Sequence, residues 1–541
     1  MSSNTSTEPP NAFITVSKIW FALIVLSIAS SFFYIDQRSL WIDELFTVYF
    51  ADPSQPDFAS FLARASEDVH PPGYYWIVWL AGRFTNAEMT FVIRVISGIA
   101  AAFSVAVIYW SMPAWVGRSA RMFTCTLTAT SSLYFQYAQE GRSYALVWVL
   151  TALLIALAFR LTRAELSESA FFLSLVAFVF VGTASGLTHA YMIPLIGALM
   201  FMMLMLQPKW PRSAVIALSG LVILAINVAY IVWHTDKIVL DVSDTWFSPE
   251  ASDLLSQTKR GFDSLIRSDP EKFFFVLLIV FGAIAIRRNR KLGWHFDLKT
   301  LYARDALLVL GTFFLSILFV VLITVFYVPS YSFRFYVVLA PFFWVFIGFV
   351  FEGLLRSLTP ERCMTLVLIA TVIFVALSGR ILARQFPSNE PWRETAEFVR
   401  ALPNCENATL PVVVYDTPVI SESEAENFYG YYLPEVSPHA WLPFPAAAVP
   451  AYPEADSRAE MLVKDRISGA DPCPLLLWGV FHTDTEEVLQ VQKKLETRHP
   501  LPNGTTLRLQ RFVLSGEPGL IMYTQRQRAS FAHVLTVQRT E

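Results

Sequence analysis

Charge is scarce in this sequence. Asp, Glu, Lys and Arg together make up 16% of 541 residues, against 55% hydrophobic and 15% aromatic residues. A soluble chain carries about a quarter charged residues, so that class is excluded, and a mean hydropathy of +0.47 agrees. The net charge of -3 comes with no basic block and no cluster of zinc-ligand spacing, which leaves nothing to hold a nucleic acid. Cysteine is limited to four residues, too few for a disulfide scaffold. Cys125 and Cys363 lie in apolar runs, whereas Cys405 and Cys473 lie in the polar C-terminal part. The latter two could pair if that part is extracytoplasmic. No tandem repeat or low-complexity segment is visible.

Long apolar runs are what the chain has instead. The segment 1–11 is polar and acidic, unlike a cleaved signal, and the run 13–34 that follows is read as a retained helix. Further runs of spanning length fall at 88–112, 119–138, 143–161, 169–187, 189–206, 213–234, 271–287, 303–327, 335–355 and 362–383. With roughly 20 residues needed per crossing, these predict about 11 transmembrane helices. The run 71–84 is too short and reads as a helix lying in the interface.

Basic residues orient the array. With the N-terminus inside, Arg118, Arg121, Arg160, Arg163, Lys209, Arg212, the Arg287–Lys291 cluster, Arg356 and Arg362 all fall in cytoplasmic loops. Counting 71–84 as a span would reverse the loops from 88 to that cluster. The stretch WIDELF at 41–46, a loop at 235–269 and the tail after Arg384 are then expected outside. Residues 1–387 read as the membrane module and 388–541 as a soluble extracytoplasmic α/β domain. In that domain a helix is expected from Asn389 and Pro391 through Leu402. LPVVVYD, CPLLLWGVF, LRLQRFVL and GLIMYT are expected strands, and Asp484 with Glu487 begins a further helix.

Four polar motifs meet on the outer side. Asp43 and Glu44 in WIDELF are two carboxylates at a membrane surface, where they stay solvated and can do chemistry or simply anchor a helix end. EDVHPPGYY at 67–75 offers Asp68, His70, Tyr74 and Tyr75 behind two prolines that fix an extended entry. YAQEGRSY at 137–144 places Gln139, Glu140, Arg142 and Tyr144 in a hairpin between apolar helices, as an internal ion pair or as site residues. YSFRFY at 331–336 starts a helix with Arg334, next to Tyr336. A guanidinium opposes the helix dipole there unless an anion joins it, and phosphate suits its donor fork. His189, in GLTHAY, is either a polar cap or a substrate contact.

WIDEL after the first helix, D-x-HPP-x-YY, YAQEGRSYAL and Arg334 seven residues before Pro341 resemble the GT-C fold glycosyltransferases that use polyprenyl-phosphate sugars. The pattern is similar to the bacterial protein O-mannosyltransferase and lipid A aminoarabinose transferase group, over roughly residues 10–385. The resemblance implies an inverting transfer on the outer face of a bacterial inner (plasma) membrane. The donor would be a polyprenyl-phosphate-linked sugar, and the acceptor a hydroxyl of an envelope glycolipid, polysaccharide or protein. It implies Asp43 as general base and Arg334 and Arg142 as cations for the leaving phosphate. Glu44 and His70 would orient the site, and Tyr74, Tyr75 and Trp76 would line the entry of the carrier. Family members often read Arg-Tyr where Phe335 follows Arg334 here. Some relatives use a divalent metal; Asp68, His70, Glu140 and His189 are the residues that could ligate one, without identifying spacing, so no metal site is assigned. A transporter or flippase of lipid-linked sugars is the alternative, but it predicts ionisable residues at mid-membrane rather than at one face. A catalytically inactive scaffold is the other.

Overall fold

Wherever the sequence carries a long apolar run the chain is helical, as a backbone that leaves water must pair its own N–H and C=O groups. The computed structural model describes residues 10–33, 35, 39–243, 251–291, 301–327, 329–382, 392–401, 412–415, 427, 430–432, 442–444, 464–465, 468, 475–479, 492–493, 496–497, 501, 503–511 and 532–539. The first helices are α1 (Pro10–Ser30), α2 (Ile42–Phe50), α3 (Phe58–Ala65), α4 (Gly73–Gly82), α5 (Met89–Ser111), α6 (Arg118–Thr130), α7 (Ser132–Ala138), α8 (Tyr144–Leu161) and α9 (Glu168–Gly186). There follow α10 (Met192–Leu206), α11 (Trp210–Ser243), α12 (Ala251–Leu265), α13 (Asp269–Lys291), α14 (Leu301–Phe326), α15 (Phe335–Ser357), α16 (Pro360–Leu382) and α17 (Trp392–Arg400). Strands β1 (Val412–Tyr415), β2 (Leu442–Phe444), β3 (Leu475–Gly479), β4 (Thr505–Arg511) and β5 (Ala532–Arg539) complete the described elements.

The chain forms two compact units, Met1–Ile35 with Phe50–Leu382, and Asp36–Tyr49 with Ala383–Glu541. In the first, 7 of the described helices are long and apolar enough to cross a membrane: α5, α8, α9, α11, α14, α15 and α16. Shorter apolar helices occur at Thr15–Ser30 and Met192–Leu206. Lipid is as apolar as leucine, so packing rather than burial from water holds such helices together. Aromatic rings supply much of it. Phe123 of α6 stacks on Phe351 of α15 with centroids 3.8 Å apart, and Trp20 of α1 meets both edge-on. The indole N–H groups are also placed, Trp20 donating to Thr371 Oγ1 at 2.9 Å and Trp148 to the Val337 carbonyl at 2.8 Å.

Two expectations for this unit are corrected. The run 119–138 is not one helix, because Ser131 turns to an extended backbone (φ -68°, ψ 147°) between α6 and α7. Its hydroxyl accepts the Tyr134 N–H at 3.1 Å, while Ser132 N–H donates to the Glu271 carboxylate of α13 at 2.7 Å. Before the break, Thr124, Thr126, Thr128 and Thr130 each bond back to the carbonyl four residues earlier, which weakens helical continuation. The stretch 235–269 is not simply a loop either: α11 runs on to Ser243 and α12 follows.

The basic connections gather at one end of this unit. Arg163 pairs with Asp305 at 2.6 Å, Trp115 donates to the same carboxylate at 2.7 Å, and Arg356 pairs with Glu352 at 2.6 Å. Arg121 donates to the Tyr109, Pro113 and Val116 carbonyls, and Arg212 to the Arg163 and Leu166 carbonyls. Arginine here satisfies one carbonyl in the last turn of α5 and several in the connections that follow α5 and α8.

In the second unit the strands form one sheet of order β2-β1-β3-β5-β4. The β2-β1-β3 part is parallel, and β5 pairs antiparallel with both β3 and β4. β1, β3, β4 and α17 lie where the sequence pattern places them. β2 and β5 were not expected, the first because it is three residues long with a proline inside, the second because adjacent Val534 and Leu535 blur its alternation. The expected strand GLIMYT, most of the helix begun at Asp484, and Cys405 and Cys473 lie outside the described residues.

Candidate functional site

The site is assembled from turns between helices of the first unit. Pro71 and Pro72 precede α4, a ten-residue helix too short to cross a bilayer, at about 1.5 Å per residue. Adjacent tyrosines on it have opposite tasks, because successive helical positions point about 100° apart. Tyr74 donates to the Ile93 carbonyl at 3.1 Å and pairs with Ser97 Oγ at 2.8 Å, tying α4 to α5. Tyr75 donates to the Asp68 carboxylate. Trp76, Ile77 and Leu80 form an exposed apolar face, the arrangement of a helix lying along a lipid surface.

Arg142 comes from the hairpin between α7 and α8. Ser97 holds its backbone by donating to the Arg142 carbonyl at 3.3 Å. Its guanidinium donates to Tyr75 Oη at 3.1 Å and to His70 Nε2 at 3.3 Å. His70 Nδ1 sits 3.3 Å from Asp68 Oδ1. Tyr75, Asp68, His70 and Arg142 thus close a ring of polar contacts. Arg142 is buried, but the His70 side chain is 34% exposed against 11% for Asp68, so the ring is open to a ligand at His70.

Charge in this ring is set by neighbours. Burial by itself would raise the Asp68 carboxyl. The adjacent His70, the Arg142 guanidinium and the hydrogen bond from Tyr75 outweigh it and hold it at about 2. Asp68 is therefore an anion that partly neutralises Arg142, leaving the cluster able to accept a further negative group.

His189 stands in the hairpin before α10, whose first residue is Met192 rather than 189. Its ring meets that of His70 edge-on at 6.0 Å and that of Tyr144 at 5.6 Å. Its Nδ1 accepts the Tyr191 N–H at 3.2 Å. Burial pushes the imidazole well below its ordinary proton affinity, and His70, Arg142 and Arg334 push the same way, so it is neutral. Gly73 makes the approach of this hairpin possible. Its N–H donates to the Leu187 carbonyl at 2.8 Å, and a Cβ there would lie 2.7 Å from that oxygen and 2.9 Å from Thr188 Oγ1.

Arg334 is the N-cap residue of α15 and makes no side-chain cap bond. Its turn is held from two sides. Tyr191 Oη donates to the Ser330 carbonyl at 2.5 Å and pairs with Ser332 Oγ at 3.1 Å. From α12, Gln257 Oε1 accepts the Phe333 N–H at 3.0 Å and Thr258 Oγ1 pairs with Tyr331 Oη at 2.8 Å. Tyr336 bonds to Tyr331 Oη at 2.9 Å and packs on Phe262, so it belongs to this support.

Of the residues singled out in the sequence, Asp68, His70, Tyr75, Arg142, Tyr144 and His189 come together, with Arg334 near enough to act on His189. Gln139 instead ties α1 by donating to the Phe33 carbonyl at 3.0 Å, and Glu140 is buried with its carbonyl accepting the Arg142 N–H at 2.7 Å. Asp43 and Glu44 occupy the first turn of α2, in the second unit, and Glu44 is buried there rather than solvated, with its carboxylate accepting the Trp41 N–H. Ser97, Tyr191 and Gln257 were missed, since a serine inside an apolar helix and single polar residues near hairpins carry no sequence signal. Among the described residues no three His, Cys, Asp or Glu side chains converge as metal ligands.

ArnT from Cupriavidus metallidurans bound to undecaprenyl phosphate superposes with a TM-score of 0.51 at 13% identity, covering 97% of this chain and 98% of that one. The chain has the GT-C fold. An oligosaccharyltransferase of Archaeoglobus fulgidus, in complex with Zn and sulfate, scores 0.44 at 13% identity, over 86% of this chain and 67% of its own. No protein-family model and no curated protein sequence matches.

Proposed function

We propose that the chain is a membrane glycosyltransferase that moves a sugar from a polyprenyl-phosphate carrier to an acceptor hydroxyl at the outer face of a bacterial inner membrane. The observation that carries the reading is the Arg142–His70 contact, a buried guanidinium with a partly exposed imidazole at one end of a helical bundle. With Arg334 on the neighbouring turn, this set suits a phosphate whose lipid tail stays in the bilayer. The GT-C fold shared with a protein bound to undecaprenyl phosphate supports the same ligand class.

In the proposed reaction the acceptor oxygen attacks the anomeric carbon as the bond from that carbon to the phosphate oxygen breaks. The electron pair leaves with the phosphate, where Arg142 and Arg334 stabilise the charge that accumulates. The acceptor proton goes to a carboxylate, and a single displacement inverts the anomeric centre. Asp43 is assigned that role on its sequence pattern. Asp68 keeps His70 and Arg142 in position, and the acceptor is an envelope glycolipid, polysaccharide or protein.

The test is transfer by purified membranes supplied with a panel of radiolabelled polyprenyl-phosphate sugars. Consumption of one donor by wild type, lost in Arg142→Ala, supports the reading. Movement of labelled lipid across the bilayer with no transfer to any acceptor would replace it with a transporter.

A further inference from the structure

The acidic helix α2 does not belong to the unit its sequence neighbours form. Residues Asp36–Tyr49 are compact with the C-terminal part of the chain, more than 300 residues away in sequence: Leu40 and Tyr432 are 392 positions apart. The chain enters α2 through Ser39, Leu40 and Trp41, held in turn by the Ser39 side chain and the Leu40 and Trp41 amides. Trp41 N–H donates to the Glu44 carboxylate at 3.4 Å, and the Trp41 carbonyl accepts the Glu44 and Leu45 N–H groups at 2.9 and 3.0 Å. Those contacts are internal to the helix and set its first turn. The two preceding ones are not. Leu40 N–H donates to Tyr432 Oη at 2.8 Å, and Ser39 Oγ accepts the Arg393 N–H of α17 at 3.1 Å.

The C-terminal side of this seam is built of buried side chains. Trp392 is fully buried and Tyr432 nearly so, and the Arg393 guanidinium lies over the Tyr432 ring, 5.8 Å from its centroid. Burial pushes the Tyr432 hydroxyl up to about 12, so it remains a neutral group whose oxygen accepts at any working pH. A buried amide without such a partner is costly, so the hydroxyl fixes where the backbone of α2 begins. Asp43 follows Leu40 by three residues, less than one turn, and the placement of Leu40 sets that of Asp43.

We propose that the C-terminal unit is a positioning element for the acidic pair, with Tyr432 and Ser39 as positioning residues acting through Asp43. The proposal rests on the proposed function for the role of Asp43, but the clamp stands apart from it. The extracytoplasmic tail then has a catalytic purpose that needs no motif of its own: it supplies the frame for the first turn of α2.

Full-length protein in proteoliposomes gives the test, with Tyr432→Phe cutting the seam from one side and Ser39→Ala from the other. Hydrogen exchange reads the clamp directly. Tyr432→Phe is expected to speed exchange across 39–46 by about tenfold, as one buried hydrogen bond is worth that order, while the strand amides stay protected. Unchanged exchange at 39–46 overturns the clamp, whatever the activity. With the radiolabelled polyprenyl-phosphate sugar that wild type consumes, both variants should lose about tenfold in kcat at unchanged donor KM, the scale of a slightly misplaced catalytic group. Tyr432→Phe should cost nothing further on top of Asp43→Asn. Equal losses in the two backgrounds would show that Tyr432 acts elsewhere and overturn the positioning role. An Asp43→Asn variant as active as wild type removes the base assignment, and with it the catalytic purpose of the clamp, but not the exchange result.

Discussion

The Arg142 guanidinium bridges Tyr75 Oη and His70 Nε2, at 3.1 and 3.3 Å, and so joins the α7–α8 hairpin to the turn that opens α4. Both contacts depend on a planar fork, which an ammonium cannot reproduce. Arg142→Ala is expected to lower kcat/KM by about 10²-fold or more and Arg142→Lys by about tenfold, on the scale of a removed transition-state donor. Steady-state transfer from the radiolabelled donor reads both. Equal activity of Lys and Arg at this position would mean that charge alone matters.

Asp43→Asn should lower kcat by a factor of about 100 or more, within the range for loss of a general base. Donor KM should be little changed, since the carboxylate is assigned to the acceptor proton and not to the phosphate. A large rise in donor KM at constant kcat would reassign Asp43 to binding.

Stability should decline on the acid side through His189. Its folded affinity for a proton lies well below the ordinary value of 6.5, so the unfolded chain binds the additional proton as pH falls. The contribution is complete above about pH 6.5 and is lost progressively below it. Asp68 adds no slope there: its carboxyl, lowered from 3.8 to about 2, gives up its contribution only between those values. Tm in detergent, followed from about pH 8 to about pH 5, should fall less steeply in His189→Gln than in wild type. Parallel curves would mean that His189 takes up no proton on unfolding in that range.

Gly73→Ala should separate the α4 turn from the α9–α10 hairpin. The new methyl would meet the Leu187 carbonyl at 2.7 Å, and the Gly73 N–H bond to that oxygen would lengthen as the backbones part. A loss of about 1–3 kcal/mol in stability is expected, as for other overpacked sites, with donor KM raised because His70 and His189 move apart. A denaturation midpoint equal to wild type would show that the hairpin yields freely.

Gln257→Leu removes the acceptor of the Phe333 N–H, one residue before Arg334. Donor KM is expected to rise about fivefold with kcat nearly kept, a cost of roughly one hydrogen bond. Gln257→Glu, which keeps an acceptor oxygen, should retain most of the wild-type KM. Loss of kcat in both variants would make α12 part of the chemistry instead of a support for Arg334.

Much of this protein is written locally. Apolar runs determine where helices form, because lipid leaves the backbone no other partner, and the prolines at 71–72 and the short run behind them mark α4 as a helix that does not span. The polar residues of the hairpins could be recognised for the same reason, since a charged group among apolar runs is costly unless it has work to do. The sequence could not distinguish Tyr74 from Tyr75, or predict that Ser131 breaks a helix with Glu271 as its distant partner. Nor could it place WIDELF in one unit with the C-terminal part of the chain. Each of these depends on which side chain a fold brings within about 3 Å of another. That distance is decided by packing between segments far apart in the chain, to which no local pattern is sensitive.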